Sequence, residues 1–92
     1  MSWLLDARIA TTLDLHGLDA AAARQAVERL LSGKGGARSG EVVHIVTGRG
    51  RTSAGRPVLY PLVGRLLAGA LRHHVAEHSK DVNEGGYVVR LR

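Results

Sequence analysis

A carboxylate and an imidazole stand two positions apart near the start of the chain, in the segment Leu13-Asp14-Leu15-His16-Gly17. On a β-strand, this spacing places the side chains of Asp14 and His16 on the same face. Such a pair is a recurring acid–base device, because the carboxylate can fix the tautomer of the ring and raise its basicity. Gly17 would let a ligand approach the backbone closely. The spacing also allows a purely structural interpretation, in which the carboxylate caps a nearby amide and the imidazole lies at a strand end.

Two glycines and two arginines follow a run of β-branched residues in the segment Thr47-Gly48-Arg49-Gly50-Arg51-Thr52-Ser53. Glycines after a buried strand allow successive backbone amides to point at one phosphate group, and the arginines would add positive charge. The segment lacks the Gly-Lys-Ser/Thr ending of a Walker A loop and the third spaced glycine of a dinucleotide fingerprint. The sequence therefore predicts a phosphate-binding loop of another kind, placed just before a helix that starts near Pro57.

The positive charge of the chain is concentrated around this segment. The 92 residues carry 13 basic and 8 acidic side chains, a formal net charge of +5. Residues 34–56 contribute +4, whereas residues 1–33 contribute −1 and residues 57–92 contribute +2. Eleven of the basic residues are arginines, whose planar guanidinium groups suit bidentate contact with phosphate. A GC-rich genome also enriches arginine, but a basic, glycine-rich middle segment indicates a polyanionic partner.

The composition bounds the class of protein. Apolar residues make up 45% of the chain and charged residues 23%, which is typical of one globular domain. No apolar run approaches the roughly 20 residues that span a bilayer, and residues 1–6 do not look like a secretion signal. The absence of cysteine excludes disulfides, a thiolate nucleophile and a zinc knuckle. We expect a cytoplasmic protein, with a short arm over residues 1–10 packed on a domain over residues 11–92.

Apolar periodicity predicts the strands and the first helix. A strand is expected over residues 10–16, and a second over residues 42–47 whose β-branched run fits a central position buried on both faces. Between them, Asp19 is expected to be the N-cap of a helix, and Gly33 is expected to end it in the left-handed conformation.

The second helix has the strongest periodicity, and its first turn is expected to contain Pro61. Gly64 and Gly69 inside it predict close backbone packing, because glycine in a helix costs about 1 kcal/mol relative to alanine. The end of the chain predicts a hairpin, with a strand over residues 76–82, a turn over residues 83–86 and a strand over residues 87–91.

The predicted order is βαβαββ, which indicates an α/β two-layer sandwich with a mixed sheet of about four strands and two main helices. Sites in parallel α/β sheets form at the carboxyl ends of strands. The segments ending near Gly17 and beginning at Thr47 are therefore expected to meet on one edge of the sheet.

Together the two segments resemble the Smr (small MutS-related) domain family, which has a Leu-Asp-Leu-His-Gly motif on its first strand and a Thr-Gly-x-Gly motif after its second. Both motifs stand unaltered here, and the resemblance covers roughly residues 11–92, including a Ser-x-Gly step at Ser53 and Gly55. One departure lies before the helix proline, where a branch of the family often has a basic residue and this chain has Tyr60. That ring is expected either to stack on a base or to cover the helix start.

The resemblance implies a stand-alone endonuclease that cleaves or nicks a phosphodiester bond in RNA or DNA. It implies Asp14 and His16 as the catalytic pair, with the imidazole as general base or acid and the carboxylate orienting it. The residues expected to hold the nucleic acid are Gly17, Thr47, Gly48, Arg49, Gly50, Arg51, Ser53 and Arg56.

RNA cleavage by the neighbouring 2′-hydroxyl needs no metal, whereas DNA cleavage by water would give Mg²⁺ a place on Asp14. The lack of a second carboxylate near the site favours RNA or a weak metal dependence. The resemblance further implies nucleic acid as the partner, including ribosome-bound message or repair intermediates, and we expect a monomer.

Two other functions remain open at the level of the sequence: a non-catalytic nucleic-acid-binding module, and a protein-interaction domain whose edge strand pairs with a partner. The other histidines favour structural roles. His44 is expected to be hydrogen-bonded within or at the edge of the sheet. A cluster at the end of the second helix complements the helix dipole without a metal. That cluster consists of His73, His74 and His78.

Overall fold

A computed structural model of the chain describes residues 7–48, 58–81 and 85–92. Four strands and two α-helices occur there in the order βαβαββ, with one short 3-10 helix before the third strand. The elements are β1 (Ile9–Asp14), α1 (Ala20–Leu31), β2 (Val42–Val46), α2 (Leu59–Ala68), the 3-10 helix (Arg72–His74), β3 (Val75–Lys80) and β4 (Gly86–Leu91). The predicted fold class and element order are confirmed.

The sheet has the strand order β1-β2-β4-β3. β1 is parallel to β2, as expected for strands joined by a helical crossover, and β4 is antiparallel to both of its neighbours. β4 is therefore an inner strand and β3 lies at the edge. The burial of the side chains explains this placement, because five of the six residues of β4 are buried, whereas β3 alternates between exposed and half-buried residues after the buried Val75.

One apolar core joins the two helices to one face of the sheet. It contains Val27 and Leu30 of α1, Val63 and Leu67 of α2, and Ile45 of β2. The opposite face of the sheet holds a small cluster in which Val42 and Val88 are buried and Ala7 packs on them. The expected burial of β2 on both faces is only partly correct, because His44 and Val46 on this second face are half-exposed. Residues 1–6 of the expected N-terminal arm lie outside the described residues, and Ile9 and Ala10 already belong to β1.

Local side-chain chemistry sets the ends of α1. Asp19 is the N-cap, and its carboxylate accepts a hydrogen bond of 2.8 Å from the amide of Ala22. After the C-cap residue Ser32, Gly33 has a φ of +87°, a conformation that glycine adopts without steric cost. Both of these predictions are confirmed.

α2 packs closely on β4 through Gly64. A Cβ atom at this position would lie 2.6 Å from the hydroxyl of Tyr87, so the predicted close packing is confirmed for Gly64. Pro61 lies in the first turn of the helix, where a missing amide is tolerated. Gly69 is the C-cap residue rather than an interior one, so its predicted place inside the helix is wrong. A Cβ atom there would nevertheless lie 3.0 Å from the carbonyl oxygen of Arg65, which is a close approach to the backbone of the helix itself. No helix in the described ranges is long and apolar enough to cross a membrane.

Candidate functional site

The ends of β1 and β2 lie side by side. Asp14 is paired with Val46 in the parallel ladder, and the amide of Leu15 donates a hydrogen bond of 2.8 Å to the carbonyl of Val46. The chain leaves β1 at this point, beside the place where β2 continues into Thr47. The structure therefore brings together the two segments that the sequence analysis singled out, up to Gly48.

The side chains of Asp14 and His16 are both exposed at this edge. One carboxylate oxygen of Asp14, Oδ1, accepts a hydrogen bond of 2.9 Å from the backbone amide of His16. Within the part of the chain that the structure describes, the carboxylate makes no hydrogen bond to the imidazole. β1 ends at Asp14 and His16 is already in the following turn, so the two side chains do not share a strand face. Their expected action as a catalytic pair stays a prediction.

The turn after β1 depends on Gly17, whose φ is +85°. The amide of Leu18 donates a hydrogen bond of 3.0 Å to the carbonyl of Leu15, which closes the turn. Among the residues that the structure describes, no atom beyond the chain neighbours would lie within 4 Å of a Cβ atom on Gly17, so its positive φ explains the glycine.

Thr47 and Gly48 are tied to the protein by one carbonyl group. The amides of Thr47 and Gly48 both donate to the carbonyl of Gly85, at 2.9 Å and 3.0 Å. The Thr47 hydroxyl lies 3.1 Å from the same oxygen and 3.3 Å from the carbonyl of Gly48, and the residue is 3% exposed. Gly48 has a φ of +76°, which turns the chain away from the strand. These amides and this hydroxyl are used within the protein, so they anchor the loop rather than face a phosphate.

The remaining residues of the expected phosphate-binding loop lie outside the described residues. They are Arg49, Gly50, Arg51, Ser53 and Arg56. In the described ranges the same edge presents the carboxylates of Asp14 and Asp19 and the ring of His16. The contribution of the arginines to this edge stays a prediction from the sequence.

Tyr60 packs within the protein. Its ring is stacked on that of Tyr87, with centroids 4.8 Å apart and planes at 18°. The Tyr87 hydroxyl donates a hydrogen bond of 2.9 Å to the backbone carbonyl of Tyr60. Burial, reinforced by the nearby Tyr60, raises the pKa of Tyr87 to about 12. The structure shows the ring of Tyr60 packed on β4, and its two expected roles, stacking on a base or covering the helix start, stay predictions.

His44 makes the hydrogen bond that the sequence analysis expected. Its Nε2 lies 3.0 Å from Oδ2 of Asp81, at the end of β3. The other carboxylate oxygen, Oδ1, accepts a hydrogen bond of 3.0 Å from the amide of Gly85. Sequence reasoning missed Asp81 and Gly85 as parts of the site edge. The signal that could have found them is the apolar run Val88-Val89, which indicates that β4 is an inner strand and brings its first residues next to the end of β2.

The cluster of histidines after α2 has no feature of a metal centre in the structure. The rings of His73 and His74 are 4.0 Å apart and tilted, and His78 lies on β3. Among the residues that the structure describes, no group of three or more histidine, aspartate or glutamate side chains could hold a metal ion.

A family model described as the Smr domain matches residues 13–92 of the chain. The match begins at the first residue of the segment Leu13–Gly17 and extends through β4 to the last residue of the sequence. No curated protein and no solved structure matches the chain at a significant level of similarity.

Proposed function

This chain belongs to the Smr domain family, a nucleic-acid-binding and nuclease-like family, and we propose that it is an endonuclease that cleaves phosphodiester bonds in RNA. The observation that carries the proposal is that the carboxyl ends of β1 and β2 lie side by side. Exposed carboxylate and imidazole groups lie there beside the start of a basic, glycine-rich loop. A phosphate held by that loop would be within reach of groups that can move protons.

We assign proton transfer to His16. Its ring is exposed and makes no hydrogen bond within the described part of the chain, so it is accessible to a bound substrate. In RNA, the 2′-hydroxyl attacks the adjacent phosphorus and the bond from phosphorus to the 5′-oxygen breaks. The 2′-hydroxyl loses a proton in this reaction, and the departing 5′-oxygen gains one. An imidazole suits both transfers because its neutral form accepts a proton and its charged form donates one.

We assign to Asp14 the role of orienting the attacking 2′-hydroxyl. The backbone amide of His16 holds one of its carboxylate oxygens, which orients the carboxylate before any substrate binds. The second oxygen can then accept a hydrogen bond from the 2′-hydroxyl. This role replaces the one expected from spacing alone, in which the carboxylate orients the ring.

The charged loop would hold the phosphate backbone. Arg49, Arg51 and Arg56 supply the cationic groups, and the amide of Gly50 and the hydroxyl of Ser53 supply neutral donors. Thr47 and Gly48 anchor the loop to the sheet through Gly85. If DNA is cleaved, water must be the nucleophile, and the exposed carboxylate of Asp14 at the end of β1 would be the ligand for Mg²⁺.

The proposal is tested by incubating the purified protein with labelled RNA and labelled DNA, each with and without EDTA. We expect RNA products that form in the presence of EDTA. Products from DNA that disappear with EDTA would instead show that the substrate is DNA and would favour a metal-dependent attack by water. Intact nucleic acid that only shifts in a gel would overturn the enzyme and favour a binding module.

The role of the loop has its own test. Neutralising Arg49 and Arg51 together is expected to weaken binding to all sequences and to flatten the dependence of log K on log salt by about 1 to 2 units, since each phosphate contact contributes about 0.7 to 0.9. An unchanged salt slope would remove these arginines from the interface.

A further inference from the structure

The loop that begins at Thr47 is held by a group from a distant part of the chain. Three donors of Thr47 and Gly48 converge on the carbonyl oxygen of Gly85, which lies 38 positions from Thr47 in the sequence. Gly85 immediately precedes β4, on the turn that connects β3 to β4. The position of this turn therefore decides where the chain leaves β2.

Asp81 fixes the turn from its other side. Its Oδ1 accepts the amide proton of Gly85, and its backbone amide donates to the carbonyl of Gly86 at 3.1 Å. A carboxylate that accepts a nearby backbone amide substitutes for a ladder hydrogen bond and so fixes the orientation of that peptide group. The Gly85 carbonyl is thereby held in the direction that meets Thr47 and Gly48.

His44 in turn fixes Asp81. Its side chain reaches from β2 across β4 to Oδ2 of the carboxylate, and the two side chains are 28% and 14% exposed. A partly buried, charge-assisted hydrogen bond of this kind is stronger than one in open water. The contacts form a closed circuit that starts in the middle of β2, passes through Asp81 and Gly85, and returns to the end of the same strand.

The backbone of Gly86 lies in close contact with the end of β2. A Cβ atom there would collide with the carbonyl oxygen of Ile45 and would lie 3.1 Å from the Cα atom of Val46. Only glycine allows β4 to approach the end of β2 so closely. Gly86 consequently cannot shift without moving Ile45 and Val46 at the end of β2.

We propose that His44 and Asp81 are positioning residues for the phosphate-binding loop. They hold Gly85 so that its carbonyl sets the direction in which Thr47 and Gly48 leave the sheet. The proposal rests on the proposed function in one respect, namely that this loop binds the scissile phosphate. Since a displacement of about 1 Å at a reacting group can lower a rate about a hundredfold, a loosened turn would affect cleavage more than binding.

The test is amide hydrogen exchange in the protein without nucleic acid. In Asp81→Ala, we expect the amides of Thr47 and Gly48 to exchange at least about tenfold faster, because their acceptor is no longer held. The amide of Leu15 is the internal reference, since it donates to Val46 at the same edge and does not depend on the turn. Glu77→Ala is the matched control, because it removes a carboxylate from β3 that is paired with Arg90 at 3.8 Å and not with the turn.

Two further variants keep the proposal testable if Asp81→Ala does not fold. In Asp81→Asn, the amide oxygen can still accept from Gly85, so exchange close to that of the unchanged protein is expected. His44→Ala removes the hydrogen bond to Oδ2 of Asp81 and leaves the one from Gly85 to Oδ1. We therefore expect exchange at Thr47 and Gly48 to be faster than in the unchanged protein and slower than in Asp81→Ala. If every variant accelerates exchange at Thr47 no more than at Leu15, relative to the unchanged protein, the positioning role is overturned. This result does not depend on what the protein does to nucleic acid.

Cleavage assays on the same variants separate this proposal from the proposed function. We expect Asp81→Ala to lower kcat by about ten- to a hundredfold with little change in KM, and Asp81→Asn to restore it. Faster exchange in a protein that never cleaves would support the positioning role and contradict the nuclease. Cleavage at the full rate despite faster exchange would overturn the link between the turn and the reaction.

Discussion

The contact between α2 and β4 makes a quantitative prediction. The Tyr87 hydroxyl occupies the space that a Cβ atom on Gly64 would need, at 2.6 Å, and the ring carbon that bears the hydroxyl lies at 3.3 Å. Gly64→Ala should therefore be destabilising in this protein, although alanine is the better helix former. Replacing Tyr87 by phenylalanine removes the obstructing oxygen, so the two substitutions should compensate each other.

The expected energies follow from these contacts. Gly64→Ala gains about 1 kcal/mol of helix propensity and loses about 2 kcal/mol to overpacking, a net loss of about 1 kcal/mol. Tyr87→Phe loses the hydrogen bond to the Tyr60 carbonyl, which is also about 1 kcal/mol. In the double variant the contact with the oxygen is gone, the ring carbon at 3.3 Å requires only a small shift, and the propensity gain remains. The stability of the double variant should therefore be close to that of the unchanged protein. The coupling energy is then about 2 kcal/mol.

Urea denaturation of the four proteins measures this cycle. Strictly additive losses, with the double variant about 2 kcal/mol less stable than the unchanged protein, would refute the packing of Gly64 on Tyr87. A stabilising effect of Gly64→Ala alone would refute it as well, since it would mean that the site is open.

Two other predictions concern groups that the structure defines closely. The folded state holds the proton of Tyr87 up to a pKa of about 12, whereas the unfolded chain releases it near 10, so this residue's contribution to stability is complete below pH 10 and is lost as the pH rises toward 12. The stability of the unchanged protein should fall relative to Tyr87→Phe by up to about 3 kcal/mol between those pH values, and parallel curves in alkaline denaturation would contradict the raised pKa. At the start of α1, Asp19→Ala should cost about 1 kcal/mol because the cap of the Ala22 amide is lost, whereas Asp19→Asn should cost a few tenths. Equal stability of these two variants in thermal melts would show that the cap contributes nothing.

Local chemistry explains which parts of the fold were predictable from the sequence. A capping carboxylate at Asp19 and a left-handed glycine at Gly33 act within one helical turn, so their roles are visible in a short window of sequence. The parallel pairing of β1 and β2 follows from the helix between them. That pairing was enough to predict that the two functional segments meet.

The predictions from the sequence failed or were incomplete where contacts between distant parts of the chain determine the structure. The rule that residues two apart share a face requires a strand, and β1 ends at Asp14, so the rule does not extend to His16. The circuit through His44, Asp81 and Gly85 connects residues 37 and 38 positions apart, and it exists only because β4 lies between β2 and β3. The apolar run Val88-Val89 indicates the inner position of β4, but no short window of sequence contains the partners of the circuit.

The role of Asp14 is tested most directly by comparing two aspartates at the same edge of the sheet. Asp14→Asn and Asp19→Asn each remove one negative charge, and each leaves an oxygen that can accept the neighbouring amide, from His16 or from Ala22. In single-turnover cleavage of labelled RNA, we expect Asp14→Asn to be at least about a hundredfold slower with unimpaired binding, and Asp19→Asn to cleave at the full rate. An Asp14→Asn protein that cleaves as fast as the unchanged protein would contradict the assignment of this site.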